Sequence, residues 1–161
     1  MRQLGRVLLV VLAIVVIAIG GLLAWRAASD EGGTRELAKS AKTLDNWDRA
    51  VVDTDWNPPF SKSTYPPTTT VAFVVNDVEA TWEGLADVVD EEAGIKISEK
   101  KSELKDDTYF FCEKEPSRYL KSECGAQFQK DVDGVKYEYT YNFYEPVDSN
   151  AEMWIKIHKV S

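Results

Sequence analysis

Three side chains in this chain of 161 residues could act as neutral-pH base, nucleophile or soft metal ligand: His158, Cys112 and Cys124. A Ser-His-Asp or Cys-His scheme would have to run through His158, near the C-terminus, with no nucleophile of local signature beside it. There is no Gly-rich phosphate loop, no HExxH, no CxxC and no G-x-S-x-G. One histidine excludes a histidine-based multi-ligand metal centre, and two cysteines without a His pair make a poor zinc site. Carboxylates are plentiful, with Asp87, Asp90, Glu91 and Glu92 crowded at one predicted helix end. Acid–base work by two carboxyl groups needs a pocket that separates their pKa values, and the charged side of an amphipathic helix is the opposite of that. Asp131-Val132-Asp133-Gly134 begins like a calcium loop but lacks the further ligands and the closing glutamate. The residues therefore assign no catalytic group, no metal and no cofactor.

Aromatic side chains are the better material, because rings offer contact area at low entropy cost with a polar tip. Tyr137, Tyr139 and Tyr141 alternate between Val135 and Phe143, so in a strand they share one face, with Lys136, Glu138, Thr140 and Asn142 on the other. Exposed, that row is a candidate surface for glycan or protein; against helices it is core, and Val135 and Phe143 favour core. Trp56, Phe60 and Tyr65 are interleaved with Pro58-Pro59 and Pro66-Pro67, pairs that forbid helix and favour extended backbone. They form a candidate binding loop, against the simpler role of pinning a long connection to the domain. Tyr119, beside Pro116 in the segment between the cysteines, is the third candidate.

The elements that must position these residues begin with Val7 to Trp25, nineteen residues without a charge, flanked by Arg2, Arg6 and Arg26. As a helix it spans roughly 28 Å, close to a bilayer's hydrocarbon thickness. The two arginines and amino terminus ahead of it, against Arg26 followed by Asp30 and Glu31, place the N-terminal tail in the cytoplasm and the rest outside. The alternative is a cleaved signal peptide and a secreted domain. The apolar run is long for that, and Arg26 stands where a small residue is wanted. The expected organisation is a cytoplasmic tail at 1–6, a transmembrane signal anchor at 7–25, a spacer at 26–33 and an extracytoplasmic domain at 34–161.

That placement bears on the cysteines. An oxidising compartment lets Cys112 and Cys124 pair, and closing so short a loop contributes about 3 kcal/mol by restricting the unfolded chain. Residues 27–161 hold 16 Lys and Arg against 27 Asp and Glu, a net −11. So acidic a domain repels nucleic acid and anionic headgroups.

Further along, Thr34 is expected to cap a helix whose apolar face carries Leu37, Ala41, Leu44, Trp47 and Val51. Thr69 to Val75 reads as a buried strand. Asn76 is then expected to cap a helix with the stripe Val78, Trp82, Leu85 and Val89, ended by Gly94. The rest reads as strands: Ile95–Ile97, Thr108–Cys112, Ala126–Val132, Val135–Tyr144 and Met153–Val160. A charged turn region lies at 98–107, a loop runs from Glu113 to Glu123, and Asp133-Gly134 is a type I′ hairpin signal. The fold class expected is α+β: one N-terminal transmembrane helix, then an antiparallel sheet packed against one or two helices.

This layout is similar to that of small bacterial envelope proteins, in architecture and not in motif. The function expected is a single-pass, membrane-anchored extracytoplasmic domain, non-enzymatic, binding an envelope protein or glycan. The competing expectation is an envelope enzyme with an acidic or His158-containing cleft.

Overall fold

The computed structural model describes residues 2–28, 31–55, 68–98 and 108–160; within its first two helices, side chains are described for 11–24 and from 33 onward. The elements are α1 (Arg2–Ala28), α2 (Glu31–Ser40), β1 (Trp47–Asp55), β2 (Thr68–Val75), α3 (Val78–Ala93), β3 (Tyr109–Ser117), β4 (Leu120–Val132), β5 (Val135–Pro146) and β6 (Glu152–Lys159). The six strands form one antiparallel sheet in the order β1-β2-β6-β5-β4-β3, so the C-terminal strand is inserted between β2 and β5.

Period-two alternation decides which face of this sheet is covered. Val71, Phe73 and Val75 of β2, Met153, Ile155 and Ile157 of β6, and Cys124, Ala126 and Phe128 of β4 all point the same way and are buried. Tyr137, Tyr139, Tyr141 and Phe143 of β5 lie among them, at most 6% exposed. The tyrosine row is therefore core and not an outer binding surface. α2 packs on β2 and β6, α3 packs on β4, and together they cover this face. Phe128 stacks on Tyr139 with ring centroids 5.3 Å apart, and the Tyr141 hydroxyl donates to the Lys42 carbonyl at 3.3 Å. The other face carries half-buried Gln127, Thr140 and Asn142 and exposed Tyr109, Phe111 and Trp154.

The second half of the chain follows its local chemistry closely. Asp77, one residue past the expected Asn76, caps α3 by accepting from the Ala80 amide at 3.0 Å. Gly94 ends the helix in the left-handed conformation, φ 70°. Asp133 and Gly134 both have positive φ, as a type I′ turn requires, and Asp131 Oδ1 accepts from the Gly134 amide at 2.8 Å. That bond gives the Asp131 carboxylate a turn-stabilising role in place of a calcium one.

Several expectations are corrected. The helix expected through Val51 stops at Ser40, and Trp47–Asp55 is an edge strand paired with β2. Ala41 and Trp47 are both buried, so a turn through residues 41–46 reproduces the spacing of a helical stripe. Helix α1 continues to Ala28 and α2 starts at Glu31, within the expected spacer. Ile95–Ile97 is a turn, not a strand: Ile97 is fully buried while Ile95 is 53% exposed. The loop expected from Glu113 to Glu123 is strand on both sides of a tight turn at Arg118-Tyr119, with an irregular register between Lys114 and Ser117. There Glu115 takes φ 53°, absorbing the bend beside Pro116. The turn region at 98–107 lies outside the described residues apart from Ser98.

Cys112 and Cys124 are disulfide-bonded and directly opposite each other on β3 and β4, with Cα atoms 4.1 Å apart. The bond is thus a cross-strand staple, tying the edge strand β3 to the sheet.

Helix α1 differs from the other two. Every described side chain from 11 to 24 is exposed, and every one of those residues is apolar or glycine. Among the described residues, no helix is long and apolar enough to cross a membrane. The described side chains of α1 amount to about 21 Å of helix, against roughly 30 Å of hydrocarbon.

Candidate binding site

The covered face of the sheet changes character one step beyond the disulfide. Cys112, Cys124, Phe143 and Met153 form one cross-strand row; the next places Lys114 opposite Ser122 and Ser122 opposite Glu145. This row faces the first turns of α3, at Val78, Glu79 and Trp82. A cleft of about 170 Å³ remains between them, lined also by Lys121.

Its polar groups are arranged unequally. Ser122, 3% exposed, donates its hydroxyl to Glu145 Oε2 at 2.6 Å, and Lys121 Nζ stands 3.7 Å from Glu145 Oε1. Lys114 Nζ instead lies over the Trp82 ring, 5.2 Å from its centroid, a cation–π contact. Among the described residues no carboxylate stands within ion-pair distance of Lys114. The disulfide fixes β3 against β4 two residues from both Lys114 and Ser122, so the row is held by a covalent bond.

A second, larger cleft of about 310 Å³ lies at the C-terminal end of α3, lined by Asp87, Asp90, Glu91, Gly94, Ile95 and Lys96. Two of its acids have partners: Asp90 accepts from the Ser98 amide at 3.0 Å and hydroxyl at 2.6 Å, and Glu91 pairs with Lys42 at 2.6 Å. Asp90 and Glu92 are also buried, at 6% exposure each, which corrects the reading of this helix end as a solvated charged side. Glu92 reaches under the helix to accept from the Lys42 amide and from Lys130 Nζ, both at 2.7 Å. A buried carboxylate is tolerable only with such partners. Asp90, Glu91 and Glu92 therefore hold α3 to its surroundings more than they offer a ligand site. No group of three or more metal-ligating side chains occurs among the described residues.

The remaining sequence candidates are scattered. Tyr119 is 64% exposed at the β3–β4 turn, where Arg118 lies over its ring at 4.6 Å. Trp56, Phe60 and Tyr65 lie outside the described residues. His158 stands on the open sheet face, its Nε2 3.6 Å from Glu138 Oε1, and lines neither cleft. Burial pushes the Tyr139 and Tyr141 hydroxyls well above the usual tyrosine range, with the nearby Glu92 charge adding to the shift. Tyr109 and Tyr144, on the open face, are raised more modestly, by burial first and then by Glu138 and Glu123 respectively.

Sequence reasoning missed the Lys114–Ser122–Glu145 row. A signal was present: Phe110, Cys112 and Lys114 are successive inward positions of one strand, and a lysine on an apolar face asks for a reason. Reading Glu113–Glu123 as a loop hid it. Comparison with known proteins returns no significant match: no family model, no curated protein and no solved structure.

Proposed function

We propose that this chain is a membrane-anchored binding module: Val7–Trp25 crosses the bilayer, and the disulfide-stapled α+β domain works on its outer, oxidising side. The observation that carries the reading is the uncovered apolar surface of α1, where Val11, Leu12, Ile14, Val16, Ile17 and Leu23 are each more than half exposed. A helix whose described side chains are apolar all round, and are left exposed by the described residues, calls for an apolar surrounding. The backbone helix Arg2–Ala28 contains the whole of Val7–Trp25, about 28 Å at 1.5 Å per residue, close to a bilayer's hydrocarbon thickness.

Two further facts support the orientation. The arginines gather ahead of the apolar run, and the disulfide belongs to an oxidising compartment. The attachment point also gives the domain a direction. Thr34 in α2 hydrogen-bonds Thr69 at the start of β2, at 2.9 Å, so the anchor enters at that end of the sheet. β5 has 12 residues and carries the sheet about 40 Å to its other end, where the Arg118-Tyr119 turn and the Trp82–Lys114 cleft lie. In this reading the far end meets the partner, an envelope protein or glycan. What favours binding over the enzyme alternative is that Asp90, Glu91 and Glu92 already have hydrogen-bond or ion-pair partners and that His158 lies on the open sheet face, away from them.

The test is fractionation of the full chain combined with protease shaving of intact cells. Resistance to alkaline carbonate extraction, with the domain digested from outside and a short N-terminal remnant protected, is expected. Recovery in the soluble fraction, or a domain protected until the membrane is broken, contradicts the proposal.

A further inference from the structure

We infer that the cleft between the first turns of α3 and the Lys114–Ser122–Glu145 row is a receptor for one small monocarboxylate, such as the C-terminal end of a peptide. The inference goes beyond the membrane reading and does not depend on it. Four charged groups line the cleft, two of each sign, but they are not equivalent. Glu145 holds both Ser122 Oγ at 2.6 Å and Lys121 Nζ at 3.7 Å, so that acid and that base already answer each other. Lys114 faces an aromatic ring at 5.2 Å. An ammonium on a ring face keeps its hydrogen-bond donors available, and an incoming carboxylate satisfies them more strongly than the ring does.

The same charges limit what can enter. With Glu79 and Glu145 lining the wall, the cleft is neutral as it stands. One negative charge can be met by Lys114; a dianion such as phosphate would leave its second charge against two carboxylates. Size sets a second limit. About 170 Å³ is below the usual range of about 300–1,000 Å³ for drug-sized ligands, so a terminal group fits and a nucleotide or large cofactor does not. The Trp82 ring and Val78 provide an apolar wall for a small side chain. Preorganisation comes from the Cys112–Cys124 bond, which positions Lys114 opposite Ser122 before any ligand arrives.

The probes are N-acetyl-alanine, its primary amide and inorganic phosphate, each titrated into the isotopically labelled full chain in detergent micelles and followed by amide and indole NMR shifts. N-acetyl-alanine is expected to move the Trp82 indole and the amides of 112–114 and 121–123, with the amide and phosphate leaving them in place. Lys114→Ala, at an exposed position, is expected to weaken the response about tenfold while Lys114→Arg largely keeps it. Lys136→Ala, beside the β4–β5 turn at the end of the sheet opposite the cleft, is expected to change nothing. Equal shifts from acid and amide, stronger shifts from phosphate, an unchanged response in Lys114→Ala, or no response to the acid would each overturn the inference.

Discussion

Helix α1 carries a continuous apolar run and strand β5 an alternating one, and their fates are opposite. β5 alternates: Tyr137, Tyr139, Tyr141 and Phe143 face inward and are buried beneath the helices, while Glu138, Thr140 and Asn142 face the other way. α1 does not alternate, and no described part of the chain covers its side chains from 11 to 24. The alternating run contains its own answer to water, since half of it is polar and the other half is small enough in area for two short helices to cover. The continuous run has no polar side to offer. Among the described residues the sheet's apolar face is buried, while the side chains of α1 from 11 to 24 stay exposed.

This contrast makes unequal demands on similar substitutions. Tyr141→Ala is expected to cost about 3–5 kcal/mol in urea unfolding, because the side chain is fully buried and its loss leaves a cavity. Val16→Ala, a truncation in the other apolar run, is expected to leave the unfolding of the domain unchanged. Equal effects at the two sites would mean that α1 belongs to the same cooperative unit as the sheet.

Reduction of the Cys112–Cys124 bond comes next in size. About 3 kcal/mol is expected, read as a drop in denaturation midpoint under a thiol reductant, since the bond closes a loop in the unfolded chain. α1 lies outside that loop, so under the proposed membrane reading the full chain is expected to stay with membranes after reduction. Dissociation from membranes together with unfolding would blur the division between the two regions.

The mildest effect concerns pH. In the folded domain burial holds the Tyr139 and Tyr141 hydroxyls protonated, whereas in the unfolded chain they ionise near pH ~10. Above that pH the unfolded state binds fewer protons, so the contribution is intact below about pH 10 and declines as pH rises past it. Tyr141→Phe is expected to flatten the decline in unfolding free energy between neutral and strongly alkaline pH. An unchanged slope would mean that this tyrosine is not as deeply held as its surroundings imply.

How much of this was legible in the residues differs along the chain. α3, β5 and β6 were readable because cap, period and turn chemistry agree: Gly94 ends the helix, and Asp133-Gly134 can hardly be anything but a tight turn. The region 34–55 misled because Ala41, Trp47 and Val51 satisfy a helical spacing that tertiary pairing overrides; β1 exists because β2 offers it an edge. The β3–β4 turn was missed because a bulge at Glu115 lets a proline-containing segment stay in strand. The cleft stayed hidden for the same reason, since Lys114 gains meaning only when Ser122 and Glu145 stand beside it. Asp90 and Glu92 were hidden differently: their partners Ser98 and Lys130 come from a following turn and a distant strand.

The central contrast is tested most directly by depth in the bilayer. Val16→Trp, at the middle of the apolar run, can be reconstituted in vesicles whose phospholipids carry bromine either near the headgroup or at the acyl-chain ends, with the unsubstituted chain as reference. If α1 spans the membrane, the added fluorescence is quenched most by bromine at the chain ends. Stronger quenching near the headgroup, or no difference from the reference chain, would contradict the account.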